Sequence, residues 1–223
     1  MENSVKEKII LTLIRHGSTR LNDEKKYIGW TDEALSEKGI KEIEEKKNIY
    51  GKYDLIFASP MLRCKETADI LFPNQTVKII NEWKEINFGQ FEGKDYKELA
   101  NNPSYKAWVD SGCKGEIPDG EMLYSFINRS LIGLEKCLGI CELYMVKHNL
   151  FAGSEFEKNY PLVKEEKASS KELKAAAVVH GGTIMAVLSN LTDKDFFDFQ
   201  VKNGEGYILE FIEGKIQAIQ RGK

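Results

Sequence analysis

Short runs of apolar and β-branched residues recur along the chain, and polar or glycine-containing stretches separate them. Continuous apolar runs of about four to eight residues between turn signals are typical of strands buried on both faces. This pattern predicts strands at 9–14, 53–58, 77–80 and 175–180. A hairpin is predicted from about 206 to 219, with its turn at Glu213-Gly214.

Helical periodicity is found between these strands. It predicts helices over about 37–48, 59–72, 121–138 and 183–191. Ser36 is placed to cap the first of them. Ser59-Pro60 predicts the start of the second, with Ser as the N-cap and Pro at the first helical position. Strands that alternate with helices predict an α/β sandwich with a mainly parallel sheet.

The chain has 223 residues, which is enough for one large domain. We interpret 1–223 as a single domain with an insertion at about 141–174. The insertion begins with aromatic and apolar residues and ends in a strongly charged run. Two interpretations are open for it: a linker without regular structure, or a flap over an active site.

Charge and hydropathy exclude several classes of partner. The net charge of −3 and a pI near 5.8 provide no basic field for nucleic acid, so an anionic ligand must be met by local basic residues. No stretch approaches the ~20 apolar residues of a membrane span, and the run at 9–14 is too short for a signal peptide. We expect a cytoplasmic protein that binds neither nucleic acid nor a membrane. The sequence gives no indication of an oligomeric state.

The four cysteines are expected to be reduced thiols. Cys137 and Cys141 lie four residues apart, with His148 downstream. That spacing matches no recognised metal motif and supplies no fourth ligand, so no metal site is predicted.

Two of the three histidines share a context in which a strand-like run stops at histidine and glycine follows at once. The two segments are Leu13-Ile14-Arg15-His16-Gly17 and Val178-Val179-His180-Gly181-Gly182. Side chains at the carboxyl ends of parallel strands face the crevice where α/β sheets bind ligands. Glycine beside them allows backbone N–H groups to approach an anion closely. This pattern indicates phosphate chemistry on histidine.

Two arginines are predicted to reach the same edge of the sheet. Arg15 ends the first strand, and Arg63 lies in the opening turn of the helix after the second. Planar guanidinium groups match the oxygens of a phosphomonoester, and helix N-termini add N–H donors. Neutral imidazole is a competent nucleophile at phosphorus near neutral pH.

A leaving alkoxide also needs a proton. The segment from Glu82 to Gly93 holds three candidate carboxyl groups, Glu82, Glu85 and Glu92, among aromatic residues. A carboxyl group shielded from water there would have a raised pKa and could act as a general acid. The residue types alone do not separate the three candidates.

Four ordered motifs resemble the histidine phosphatase superfamily, the phosphoglycerate-mutase-like fold. The motifs are Arg15-His16-Gly17, Ser59 to Ala68, Glu85 to Gly93 and Val179-His180-Gly181-Gly182. The match as a whole extends over essentially the entire chain except 141–174. The resemblance implies a three-layer α/β sandwich, with a mainly parallel central sheet and helices on both faces.

The same resemblance implies a role for each candidate residue. His16 would be the nucleophile that becomes phosphohistidine, and Glu85 would be the proton donor. Arg15, Arg63 and His180 would hold the phosphoryl oxygens. We also assign Asn22, Gly29 and Gly181 to substrate binding. No metal and no organic cofactor is implied.

The segment after Glu85 distinguishes the members of the family. Phosphoglycerate mutases place an adjacent arginine pair there, whereas this chain has no arginine between Arg63 and Arg129. The segments 88–96 and 117–121 are similar to those of alpha-ribazole phosphatases, which act in cobalamin biosynthesis. We therefore predict a phosphomonoesterase for a small phosphorylated metabolite, alpha-ribazole 5′-phosphate. The alternatives are a broad-specificity sugar-phosphate or nucleotide phosphatase, a phosphoglycerate mutase, and a non-catalytic phosphate-binding module.

Overall fold

Six strands form one central sheet in the computed structural model, which describes residues 7–151 and 172–222. The strands are β1 (Lys8–Arg15), β2 (Leu55–Ala58), β3 (Val77–Ile79), β4 (Glu172–Val179), β5 (Gly206–Ile212) and β6 (Lys215–Arg221). Their order is β3-β2-β4-β1-β5-β6. The first four in that order pair in parallel, and β5 is antiparallel to both of its neighbours. The carboxyl ends of β1, β2 and β4 therefore lie at one edge of the sheet.

Helices cover both faces of this sheet. They are α1 (Arg20–Asp23), α2 (Glu37–Lys46), α3 (Leu62–Leu71), α4 (Pro103–Asp110), α5 (Leu123–Phe151) and α6 (Gly181–Leu191). Short 3-10 turns are formed by Asn81–Trp83, Gly89–Phe91 and Phe196–Phe199. Ser36 caps α2 as predicted, because its hydroxyl accepts a hydrogen bond from the Gly39 N–H at 3.0 Å.

The two faces of the strands belong to two separate hydrophobic clusters. In β1, Leu11 and Leu13 pack in the cluster that includes residues of α5 and α6, whereas Ile14 packs in the cluster of α2 and α3. In β4, Ala177 and Ala176 divide between the clusters in the same way. Burial on both faces explains why these strands are continuously apolar rather than alternating.

The predicted α/β sandwich with a mainly parallel central sheet is confirmed. One predicted cap was wrong. Helix α3 begins at Leu62 with Met61 as its N-cap, and Ser59 does not cap it. The Ser59 hydroxyl is instead hydrogen-bonded to a histidine of the candidate site. The Ser-Pro pair correctly predicted a turn after β2, but it did not identify the N-cap of α3.

The region predicted as an insertion, 141–174, needs a partial correction. Helix α5 does not stop near 138 but continues to Phe151, and Cys141 and Met145 on it are buried in the core. Strand β4 begins at Glu172. The two interpretations of the remainder, linker or flap, concern residues 152–171, which lie outside the described residues. Within the described ranges, no helix is long and apolar enough to cross a bilayer.

Candidate active site

His16 follows the last residue of β1 and is almost completely buried. Its Nδ1 lies 2.7 Å from the carbonyl oxygen of Gly17. A carbonyl can only accept, so Nδ1 carries the proton and a neutral ring has its lone pair on Nε2. Burial, with the nearby charges of Arg63 and Arg15, holds the pKa of His16 well below its usual 6.5. His16 is therefore a neutral imidazole with a nucleophilic nitrogen.

His180 follows β4 and is the N-cap residue of α6. Its ring centroid lies 5.1 Å from that of His16, in an edge-to-face arrangement. Nε2 of His180 shares a hydrogen bond of 2.7 Å with the Ser59 hydroxyl. Burial, together with Arg63 and His16, also holds the pKa of His180 well below its usual value. The structure thus brings together the two histidines that the sequence separates by more than 160 residues.

Arg15 and Arg63 are both held by backbone carbonyl groups. Nη1 of Arg15 donates to the Val201 oxygen at 2.7 Å. Nη1 and Nη2 of Arg63 donate to the oxygens of Thr31 and Gly29 at 2.9 and 2.8 Å. The buried Nε–H of each arginine has no hydrogen-bond partner among the described residues. These donors, beside two neutral histidines, fit the oxygens of a phosphoryl group.

Glu85 is an acidic residue that contacts the start of α6, two residues after His180. Its carboxylate accepts hydrogen bonds from the backbone N–H groups of Ile86 at 2.9 Å and Gly182 at 3.0 Å. Glu85 is buried, and burial raises the pKa of its carboxyl group above the usual 4.5 despite those hydrogen bonds. A raised pKa favours the protonated form, which is the form that a general acid needs.

The other two candidate acids have different contacts. The Glu82 carboxylate forms an ion pair with Lys136 on α5, and this contact lowers the pKa of Glu82. The Glu92 carboxylate accepts hydrogen bonds from the N–H groups of Gly29, Trp30, Thr31 and Phe88 and from the Thr31 hydroxyl. These contacts commit the Glu92 carboxylate to holding neighbouring backbone groups. Geometry therefore separates the three glutamates that the residue types alone left together.

Glu92 also connects to Arg63 through the segment 29–31. The N–H groups of this segment point to Glu92, while its carbonyl groups at 29 and 31 accept from Arg63. The segment is thus fixed between a carboxylate and a guanidinium group. Sequence reasoning placed Glu92 among the acids and missed this contact, because it depends on residues about 60 positions apart.

The three residues assigned to substrate binding have different surroundings. Asn22 lines the cavities beside the site, and its side-chain oxygen accepts from the Thr19 N–H at 3.2 Å. Gly181, at the start of α6, lines the cavity that contains Glu85. Gly29 is buried, and both its N–H and its carbonyl group are bound to protein side chains. Gly29 therefore holds Arg63 rather than offering a free backbone group to a ligand.

Two adjoining cavities open at the site and share Arg15, Asn22, Lys26 and Tyr27. The smaller one, about 390 Å³, reaches Glu85 and has a largely aromatic and aliphatic wall. This apolar wall is formed by Phe88, Trp108, Leu123, Met185, Phe196 and Phe197. The larger cavity, about 820 Å³, is lined mainly by charged and polar residues, among them Lys25, Lys38 and Lys202.

A buried neutral histidine, a second histidine, two arginines and a buried glutamate with a raised pKa thus meet at the carboxyl edge of a parallel sheet. Residues 11–150 match the family model of the histidine phosphatase superfamily, branch 1. The chain belongs to the histidine phosphatase superfamily. The resemblance inferred from the motifs is confirmed, and members of this superfamily include phosphatases and mutases.

Two curated relatives represent the two activities. A 2,3-bisphosphoglycerate-dependent phosphoglycerate mutase of Treponema denticola is 26% identical over 220 residues, covering 90% of this chain and 86% of the relative. An adenosylcobalamin/alpha-ribazole phosphatase of Escherichia coli is 29% identical over 125 residues, covering 53% of this chain and 62% of the relative. Both similarities are distant, so they support the superfamily rather than one substrate.

Solved structures share the fold over nearly the whole chain. The alpha-ribazole phosphatase of Shigella flexneri superposes with a TM-score of 0.72 at 20% identity, covering 96% of each chain. A phosphoglycerate mutase of Thermus thermophilus superposes with a TM-score of 0.63 at 24% identity, covering 97% of this chain and 98% of that one. At these identities the likeness establishes the histidine phosphatase fold and nothing finer.

Proposed function

We propose that this histidine phosphatase is a phosphomonoesterase that works through a phosphohistidine intermediate on His16. In the first step, Nε2 of His16 attacks phosphorus and the bond from phosphorus to the ester oxygen breaks. Glu85 gives its proton to that oxygen, so the leaving group departs as an alcohol. Arg15, Arg63 and His180 stabilise the charge on the three remaining phosphoryl oxygens.

The second step returns the enzyme to its starting state. Glu85, now a carboxylate, takes a proton from a water molecule whose oxygen attacks phosphorus. The bond from phosphorus to Nε2 breaks and inorganic phosphate is released. The contact between Glu85 and Gly182 supports this proposal, because it holds one carboxyl group at the start of the helix that His180 caps, and the His180 ring lies 5.1 Å from that of His16.

We further propose that the substrate is alpha-ribazole 5′-phosphate. This molecule joins a ribose phosphate to a flat, apolar, methylated aromatic base. The smaller cavity begins at Glu85, where the leaving oxygen would lie, and continues along the apolar wall. Partly exposed aromatic side chains of this wall, such as Phe88 and Phe197, offer stacking surfaces for a flat base. The similarity to an adenosylcobalamin/alpha-ribazole phosphatase supports the same choice.

Phosphoglycerate mutase is the second candidate, favoured by the relative that matches most of the chain. A mutase must hold a second phosphate and a carboxylate near the reacting phosphoryl group. Arg15 and Lys26 are the cations that line the smaller cavity, among many apolar side chains. This lining favours an uncharged leaving group and therefore favours hydrolysis.

Trapping the intermediate tests the reaction. The purified protein is mixed with p-nitrophenyl phosphate and quenched at alkaline pH, where phosphohistidine survives, and the modified residue is located by mass spectrometry. We expect release of p-nitrophenol and phosphorylation of His16. Turnover no greater than that of His16→Ala would contradict catalysis by this site and leave only a phosphate-binding module.

A panel of phosphomonoesters tests the substrate. We expect kcat/KM to be at least about tenfold higher for alpha-ribazole 5′-phosphate than for ribose 5-phosphate. Only alpha-ribazole 5′-phosphate has a base that can contact the apolar wall. Equal values would favour the broad-specificity phosphatase. Conversion of 3-phosphoglycerate to 2-phosphoglycerate faster than its hydrolysis would favour the mutase.

A further inference from the structure

Arg129 lies on α5, and all three nitrogen atoms of its guanidinium group donate hydrogen bonds within the protein. Nε and Nη2 donate to the two carboxylate oxygens of Glu121 at 3.0 and 2.6 Å. Nη1 donates to the carbonyl oxygens of Glu82 and Lys84 at 2.7 and 2.8 Å, and Nη2 also donates to that of Glu85 at 3.3 Å. One side chain thus binds the backbone of the whole segment that carries the acid.

Glu121 and Trp30 form further hydrogen bonds to the backbone of this segment. The Glu121 N–H donates to the Asn87 carbonyl oxygen at 2.9 Å, so the segment is held on both sides of Glu85. The indole Nε1 of Trp30 donates to the Glu85 carbonyl oxygen at 3.0 Å. The Glu85 carbonyl therefore accepts two hydrogen bonds from outside its own segment, while its carboxyl group faces Gly182.

The 82–87 segment has little regular structure of its own, since only Asn81–Trp83 forms a short 3-10 turn. Carbonyl groups in such a segment need donors from elsewhere when they are buried. A planar guanidinium group can bridge several carbonyl oxygens and a carboxylate at fixed angles, whereas an ammonium group cannot. The position of the Glu85 backbone therefore depends on the shape of Arg129 as well as on its charge.

We propose that Arg129, fixed by Glu121, is a positioning residue that aims the Glu85 carboxyl group at the leaving oxygen. The proposal rests on the proposed function, in which Glu85 is the general acid. Proton transfer requires the donor to lie within hydrogen-bond reach, and a displacement of about 1 Å can cost on the order of 10²-fold in rate. The ion pair with Glu121 offsets part of the charge of Arg129, so the shape of its guanidinium group contributes more than its charge.

The test compares two substrates that differ in their need for an acid. An alkyl phosphate such as glycerol 3-phosphate has a poor leaving group, whereas p-nitrophenol leaves without help. For Arg129→Lys, which keeps the charge but not the planar group, we expect kcat/KM for the alkyl phosphate to fall by about 10- to 100-fold. The kcat/KM for p-nitrophenyl phosphate, which reports only the steps up to release of p-nitrophenol, is expected to fall by less than about threefold, and the pH profile to keep its shape.

The double variant with Glu85→Gln provides the decisive comparison. If Arg129 acts through Glu85, then Arg129→Lys changes the ratio of the two kcat/KM values in the wild-type background but not in the Glu85→Gln background. Lys136→Met is the matched control, because Lys136 contacts Glu82 from the same helix through an exposed ion pair. We expect the ratio to be unchanged in this control.

Glu121→Gln is measured in parallel, since it keeps the size of the side chain and removes the charged partner of Arg129. It should change the ratio in the same direction as Arg129→Lys. An equal loss for both substrates in both variants, or an undiminished effect of Arg129→Lys in the Glu85→Gln background, would overturn the proposal. If Glu85→Gln itself slows both substrates equally, then Glu85 is not the acid and the proposed mechanism fails as well.

Discussion

The backbone N–H of Gly182 donates a hydrogen bond of 3.0 Å to Oε2 of Glu85. Gly182 is in the first turn of α6, two residues after His180. The helix that begins at His180 therefore also holds the carboxyl group of Glu85, the proposed proton donor. A Cβ atom at position 182 would lie 2.2 Å from Oε1 of Glu85, so this close approach requires glycine.

The first prediction concerns Gly182→Ala. The added methyl group meets the end of a flexible side chain, so the Glu85 carboxyl group should move and the fold should persist. We expect kcat/KM for an alkyl phosphate to fall by about 10²-fold or more and kcat/KM for p-nitrophenyl phosphate to fall much less. Steady-state kinetics on both substrates measure this difference.

Gly139→Ala is the control for that substitution. Gly139 is an exposed residue of α5, and a Cβ there has no neighbour within 4 Å. Alanine should leave both rates unchanged and stabilise the helix by up to about 1 kcal/mol. An alkyl phosphatase activity in Gly182→Ala equal to that of the wild type would show that the contact with Glu85 is not needed.

The second prediction concerns Glu92→Gln. The amide has one acceptor oxygen, and its NH₂ group would face N–H donors of the segment 29–31. Unsatisfied donors should lower the free energy of unfolding by about 1–3 kcal/mol. Carbonyl groups of the same segment hold Arg63, so a shift of the segment would displace its guanidinium group. The inhibition constant of inorganic phosphate should therefore rise about tenfold.

Denaturant unfolding and phosphate inhibition measure the two effects of Glu92→Gln. Glu135→Gln, an exposed change on α5, serves as the control and should alter neither quantity. Wild-type phosphate inhibition in Glu92→Gln would show that Arg63 keeps its position without the Glu92 contacts.

The third prediction concerns Ser59→Ala. Removal of the hydroxyl leaves the buried Nε2 of His180 without its partner at 2.7 Å. We expect a loss of about 1–3 kcal/mol in unfolding free energy and weaker binding of phosphate. Cys64, whose Sγ lies 3.5 Å from the same nitrogen, is only a weak hydrogen-bonding group, so Cys64→Ala should affect phosphate binding less. Isothermal titration with phosphate ranks the two variants, and the reverse order would contradict the role given to Ser59.

The fourth prediction is the pH dependence of kcat/KM, which reports the free enzyme. The first step needs His16 unprotonated and Glu85 protonated. The pKa of His16 is held below 6.5, so lowering the pH through 6.5 should not protonate the nucleophile. The pKa of Glu85 is raised above 4.5, so activity on an alkyl phosphate should decline on the alkaline side as Glu85 loses its proton.

An acidic optimum is therefore expected for alkyl phosphates, measured as kcat/KM between pH 4 and 9, a range that spans the usual histidine and glutamate values of about 6.5 and 4.3. Glu85→Gln should remove the alkaline decline that belongs to the acid. A loss of activity with an apparent pKa near 6.5 on the acidic side would mean that His16 titrates normally and is not shielded by burial and the arginines.

Several parts of the site follow from local sequence. His16 and His180 end apolar runs, and Arg63 follows a Ser-Pro turn after a third run, so the parallel sheet brings all of them to one edge. Continuous apolar strands and helix periodicity are local properties, which is why the α/β order could be predicted. The extent of α5 was missed although its buried residues Leu134, Cys137, Cys141 and Met145 recur at helical spacing, so the local pattern did carry this signal.

The sequence by itself determined the fold class and the residues that we propose contact the phosphoryl group, since each lies at a strand end or helix start that short-range patterns define. The residue types did not decide among Glu82, Glu85 and Glu92; the family resemblance favoured Glu85, and only the tertiary structure gave the physical difference between them. The three glutamates have similar neighbours along the chain, and they differ in whether Lys136, Gly182 or the segment 29–31 lies opposite the carboxylate. Those partners come from distant positions. A carboxyl group's pKa and reach depend on burial and contacts in three dimensions, which local sequence does not define.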